Sequence, residues 1–270
     1  MLIFDFKGFL FFAAASLLLS ISLEWMGNAK NITPVLLVFL MGFIFIYLYY
    51  RHAKKDENAI FPLDLFMVRT FRVGMLGNLA TRLGISSIPL LIPLMVQIAY
   101  GESAVVSGWI VAPMAITSMF GKSAVIKILN RFGYRKTLMF NTFLIGTLIC
   151  LMAIPGINTS IYWFIPLILV LGFFNSIQFT SMNTISISDL RDSHTSSGNS
   201  LISVNQQIAI GFGIAFGLII LKLFEGDTQL IKGNIHNAFR YTFLVMGILT
   251  ILSGFVFRRL HFRDGDNMKS

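Results

Sequence analysis

Residues 105–126 read VVSGWIVAPMAITSMFGKSAVI, residues 127–136 read KILNRFGYRK, and residues 137–155 read TLMFNTFLIGTLICLMAIP. The two flanking stretches are apolar. Each has the ~17–25 residues that cross ~30 Å of hydrocarbon as a helix. The connector concentrates Lys127, Arg131, Arg135 and Lys136 and contains no acid. An apolar run, a short basic break and a second apolar run form one pattern: two membrane crossings joined by a turn on the side that retains positive charge. Helix is required, because a span in lipid must satisfy its own backbone hydrogen bonds.

The same alternation extends in both directions. Apolar stretches occupy approximately 7–24, 33–50, 73–99, 105–126, 137–155, 160–184, 199–222 and 239–258. The expected fold is therefore all-α and transmembrane, with eight helices. The first stretch, Phe9–Leu23 after Lys7, resembles a signal peptide in length. Asp5 spoils a positive leader, however, and no small-x-small cleavage site follows, so it reads as a retained span.

Composition agrees. The chain is 56% hydrophobic and 12% charged, against ~25% charged in soluble domains. That is too little charge to cover a water-facing surface, and lipid must cover the remainder. The net charge of +9 is explained by topology rather than by nucleic acid. Arg51, Lys54, Lys55, Arg69 and Arg72 lie in the 51–72 break, and Arg258, Arg259, Arg263 and Lys269 lie at the C-terminal end. The alternate breaks near Lys30, Tyr100–Ser103, Gly156–Thr159 and Glu225–Asn237 are poor in Lys and Arg. By the positive-inside rule the basic set is cytoplasmic and so are both termini, which an even number of spans requires. The expected location is the cell (inner) membrane.

The longest internal break divides the chain into a two-helix unit (1–50), a basic cytoplasmic linker (51–72), a six-helix lobe (73–259) and a cytoplasmic tail (260–270). Within the linker, Phe61-Pro62-Leu63-Asp64-Leu65-Phe66 is too apolar for free coil and suits a short amphipathic helix on the membrane surface.

The stretch ending Asn130-Arg131-Phe132-Gly133-Tyr134-Arg135-Lys136 resembles the signature cytoplasmic loop of the major facilitator superfamily, D-R-x-G-R-K, in its weaker second-lobe copy. Asn130 stands where the acid is usual, which keeps the turn and the basic character but removes the loop's carboxylate. Asp5-Phe6-Lys7-Gly8, Pro62-Leu63-Asp64-Leu65-Phe66 with Arg69-Thr70-Phe71, and Ile92-Pro93-Leu94-Met95-Val96-Gln97 with Gly101-Glu102-Ser103-Ala104 are similar to segments of the fourteen-helix drug:proton antiporters of EmrB/QacA type. Ser181-Met182-Asn183-Thr184, Asp189-Leu190 and Ser196-Ser197-Gly198-Asn199-Ser200-Leu201 resemble the MdtD-like branch. The resemblance covers essentially the whole chain. It implies the C-terminal part of such a transporter, with the family's first six helices missing.

Arg82 stands out within the spans. Arginine at a helix centre costs ~2.5–3.5 kcal/mol on insertion scales, so it should face a cavity or a partner. The competing reading is a structural arginine bonded to helix-end carbonyls. Gln97, Asn175 and Asn78 are the other candidates for lining a substrate cavity. The remaining span amides, including Gln178, Asn183, Asn205, Gln206 and Gln207, read as interhelical glue. Pro89, Pro93 and Pro113 should bend their helices. Gly213 and Gly217 form a G-x-x-x-G pair suited to close packing within the lobe. Lys122 and Arg240 should snorkel to opposite faces.

His52, His194, His236 and His261 lack metal-ligand spacing and read as solvated, and Cys150, alone in the chain, reads as inert packing. No cofactor, metal site or enzymatic constellation is expected. All twelve acids lie in breaks or at span ends. A proton-coupled exporter needs a titratable group within the membrane, so coupling would reside in the missing half.

The leading expectation is the C-terminal portion of a multidrug efflux transporter for small amphipathic compounds. It would function only with an N-terminal transporter lobe or as a homodimer. The alternative is a non-transporting membrane scaffold or sensor docking through 51–72.

Overall fold

The structure, a computed structural model, describes residues 5–26, 32–56, 59–226 and 234–268. Lys30, Glu57 and Asp227 lie outside the described residues. Among the described residues eight α-helices carry the fold: α1 (Phe6–Met26), α2 (Ile32–Ala53), α3 (Arg69–Ile85), α4 (Ile88–Ile98), α5 (Ala104–Leu151), α6 (Phe164–Ile187), α7 (Asp192–Gly226) and α8 (Ile235–Ser253). The chain is an all-α transmembrane protein. Among the described residues, seven helical segments are long and apolar enough to span a bilayer, with α3 and α4 counted as one segment of 30 residues.

The eighth crossing is inside α5. This helix runs for 48 residues, which would be ~72 Å if straight. It is not straight. A Cβ placed on Gly121 would meet the Phe173 carbonyl and Ser176, while Asn141 donates to the Phe174 carbonyl and to Gln178 Oε1, both at 2.8 Å. Two residues that a straight helix would hold ~30 Å apart therefore touch the same two turns of α6. The reversal sits at Gly133, whose φ of 73° and ψ of 164° belong to a region that only glycine adopts readily. The arms 104–132 and 134–151 thus form a hairpin. The first runs alongside α6 in the same direction, with Gly172 near Met114 and Ser176 near Gly121. The second runs against it.

The break between α3 and α4 has a proline origin. Pro89 has no N–H, and its ring crowds the carbonyl four residues earlier, that of Ile85, where α3 ends. α4 starts at Ile88 with Pro89 in its first turn. α7 fills this break. A Cβ on Gly213 would run into the Arg82 carbonyl, and one on Gly217 would lie 2.5 Å from Ser87 Cβ. The G-x-x-x-G pair packs within the lobe.

Polar contacts tie the loops at each end of the bundle. At one end, Arg69 Nη2 meets Asp264 Oδ1 at 2.6 Å, Lys136 stands 5.1 Å over the Phe262 ring, and Gly265 packs on Tyr134. The basic linker, hairpin turn and C-terminal segment therefore share this end. At the other, the Tyr100 hydroxyl bonds the Gly156 carbonyl at 3.2 Å and His236 Nε2 at 3.1 Å. Arg240 Nε donates to the Ala153 carbonyl at 2.5 Å. Arg240 is thus held by a loop carbonyl rather than snorkelling freely. Burial pushes the Tyr100 phenol above its ordinary value, against the opposing influence of Arg240.

Within the C-terminal segment, Leu260 and Gly265 are buried, with Gly265 against Tyr134 and Ile185 beneath the hairpin. One expectation needs correction: the histidines are not all solvated. His236 is 1% exposed because Asn234 caps α8 through the His236 N–H and turns the ring toward Tyr100. His52 Nε2 bonds Asp5 Oδ1 at 2.7 Å, and His194 approaches Asp64 at 3.8 Å.

Candidate functional site

α3 carries Arg82 thirteen residues beyond its first residue, Arg69, close to the midpoint of the Arg69–Ile98 segment. The guanidinium donates through Nε to Asn78 Oδ1 at 2.8 Å, one turn back on the same helix. It also stacks 5.1 Å from the centre of the Phe179 ring on α6. Asn78 is 2% exposed, so its amide is a fixed platform, whereas Arg82 is half-buried. No carbonyl at the helix break accepts from Arg82, and no carboxylate pairs with it among the described residues. A guanidinium has five N–H donors, and one is used.

Phe179 belongs to a row on α6. Asn175, Phe179 and Asn183 recur every four residues, which places them on one helix face. Asn183 Oδ1 accepts from Gln206 Nε2 of α7 at 2.6 Å, which joins a third helix to the row. Toward the other end, Asn175 lines an open groove of about 550 Å³ with Pro93, Gly108, Ala112, Ala115 and Ser118. Small residues on the first arm of α5 leave that space. Gln97, one turn beyond Pro93, is exposed and donates to Ser107 Oγ at 3.0 Å. α6 thus presents a polar track: Asn175, then Phe179 with Arg82 and Asn78, then Asn183 with Gln206.

Of the residues singled out in the sequence, Asn78 and Arg82 are brought together. Asn175 shares a helix face with the ring that Arg82 covers, and Gln97 stands apart near one end. Asn130, Arg131, Gly133, Arg135 and Lys136 form a separate feature at the hairpin turn. Phe179 was not singled out; among 27 phenylalanines one ring gives no signal, although its four-residue spacing between two asparagines was readable. Two other span amides hold the lobe together. Gln178 bridges Asn141 and Thr142, and Asn205 donates to the Met75 carbonyl at 3.1 Å.

One cluster of titratable groups lies elsewhere. Asp5, His52 and Asp56 offer ligand atoms all within 4.8 Å of one another. The Asp5 carboxylate is already occupied: it accepts from the Gly8 N–H at 2.8 Å, the Ile60 N–H at 3.3 Å and His52. It caps α1 and fastens it to α2 and the linker. Burial works against ionisation of Asp5, but these hydrogen bonds outweigh it and hold the carboxyl below its ordinary range.

A profile of the Major Facilitator Superfamily matches residues 7–214 and, in a second register, 75–269. The chain belongs to the Major Facilitator Superfamily. It is 36% identical over 266 residues to the Probable transport protein HsrA of Haemophilus influenzae, covering 98% of this chain and 57% of that one. It is 35% identical over 262 residues to the Putative multidrug resistance protein MdtD of Pectobacterium atrosepticum, covering 95% and 56%. The Escherichia coli protein of that name is 34% identical over 261 residues, covering 95% and 55%. The chain thus spans little more than half the length of the curated relatives it matches. These relatives are transport proteins, as the family is, and not enzymes. The superfamily chain is a multi-pass membrane protein in contact with the bilayer.

Proposed function

We propose that this superfamily chain is the C-terminal portion of a multidrug efflux transporter exporting small amphipathic compounds. In this reading 1–50 is a two-helix unit, 51–72 a linker, 73–259 the C-terminal lobe and 260–270 a cytoplasmic segment. Arg82, Asn78, Asn175 and Gln97 line one wall of a central cavity. The facing wall comes from an N-terminal transporter lobe or, failing that, from a second copy. The observation that carries the reading is the guanidinium at the midpoint of a span, with no carboxylate partner among the described residues, set on an aromatic ring and flanked by amides. A charge there is expensive, and a cavity wall is where transporters accept that cost. The carboxylate needed for proton coupling belongs to the facing lobe, since the acids of this chain lie in breaks or at span ends.

The basic end of the bundle is cytoplasmic by charge, which puts both termini in the cytoplasm and the chain in the cell inner membrane. The scaffold alternative is less favoured. It needs 51–72 as an open docking surface, whereas Phe61 and Leu65 are buried in a core with Tyr49, Phe71, Leu201 and Ile202.

The test is dye efflux in a host stripped of its exporters. The chain is co-expressed with the N-terminal lobe of an MdtD relative. Efflux is expected only with both halves and is lost in Arg82→Gln. Efflux by the 270-residue chain as a proven monomer would overturn the proposal.

A further inference from the structure

The hairpin of α5 opens a crevice of about 450 Å³, lined by Ile128, Phe132, Lys136, Thr137 and Phe140 of its two arms and by Phe174 and Ile177 of α6 among others. Its floor is closed by the Asn141–Gln178 bond. Its sides are open: Phe132 and Phe140 are 50% and 65% exposed, on a surface that faces lipid. At its mouth stands the turn 127–136, which holds four cations and no acid. Lys127, Arg131, Arg135 and Lys136 form no ion pair among the described residues. The nearby Asp264 is engaged by Arg69 and by the His261 N–H. Beside Lys136, the Thr137 hydroxyl is buried without a hydrogen-bond partner.

We infer that this crevice binds an anionic phospholipid, with one acyl chain between the arms and the phosphate held by Lys136 and Arg131. An apolar slot of this volume, open to the bilayer, suits a hydrocarbon chain. A cluster of uncompensated cations at the interface calls for an anionic headgroup rather than a zwitterionic one. A soluble anion would lose the crevice, and a neutral lipid would leave the cations unmatched. The site is separate from the Arg82 track and does not rest on the transport reading.

The test uses the whole chain in phosphatidylcholine nanodiscs with a trace of phosphatidylglycerol bearing a photoactivatable group on one acyl chain. Adducts are mapped by mass spectrometry. They are expected on Ile128, Phe132 and Phe140 in preference to Leu37 and Trp109, which are exposed apolar side chains outside the crevice. Unlabelled phosphatidylglycerol should compete, and phosphatidylcholine should not. Arg131→Gln and Lys136→Gln should each weaken labelling about fivefold, the effect of one charge near an anionic headgroup. Ile128→Trp should fill the slot and remove the adducts with the cations intact, and its melting temperature in phosphatidylcholine reports that it folds. Adducts spread evenly over the apolar surface, equal competition by both lipids, or labelling indifferent to the two cation variants would overturn the inference.

Discussion

Arg69 and Asp264 are 195 residues apart in sequence and are joined at 2.6 Å. Arg69 is the first residue of α3, and Asp264 lies beyond the last helix. The pair closes the lobe by joining its first helix to the segment that follows its last. The aspartate is 9% exposed and the arginine 40%, so water screens only one side. Asp264→Ala should cost about 1–3 kcal/mol, typical of a charged hydrogen bond lost from a part-buried site. Thermal unfolding in detergent reads this, and Arg69→Ala in the same background should add little. Full additivity of the two would show that they do not act together.

Gly133 should tolerate no side chain. Its backbone lies where a Cβ is strained by about 1–3 kcal/mol, and the hairpin depends on it. Gly133→Ala is expected to lower the melting temperature and to free the second arm from α6. Gly108→Ala is the control: nothing lies within 4 Å of that site, and alanine favours helix by up to about 1 kcal/mol. Equal effects of the two would refute the reversal.

Arg82→Gln should separate stability from function. Glutamine keeps an amide within reach of Asn78 and removes the charge from mid-span. Folding is expected to change by less than about 1 kcal/mol, while efflux by the assembled transporter is lost. A structural arginine would give the opposite result: a large drop in melting temperature with activity proportional to the folded fraction.

Acid should loosen the N-terminal end. The Asp5 carboxyl is held below its ordinary value by Gly8, His52 and Ile60, despite burial that acts the other way. A lowered folded-state pKa means the stabilisation is complete above the unfolded value of about 3.9 and disappears as pH falls through the folded one. Asp5→Asn should remove this acid-dependent part. The measurement is hydrogen exchange of α1 amides against pH; a profile identical in the variant counts against it.

Much of this was legible in the sequence. Eight apolar runs and the basic residues gathered in alternate connectors marked the spans, and Arg82 was conspicuous because its charge sits between apolar neighbours. Gly133 in its basic break marked the turn. Phe179, by contrast, was hidden among many phenylalanines. His236 was misread because a histidine at a span end gives no sign of whether a tyrosine from another loop waits beside it.

The sequence by itself determined that the chain is helical, that it crosses the membrane and which connectors carry positive charge. Lipid makes those properties local, because each span must satisfy its own backbone within some twenty residues and each loop carries its own charge. Only the tertiary structure decided that Arg82 rests on Asn78 and Phe179, that Asp5 fastens α1 to α2, and that Asp264 reaches Arg69. Those contacts depend on how helices pack, and packing is set by shape complementarity between residues that composition and spacing do not bring together.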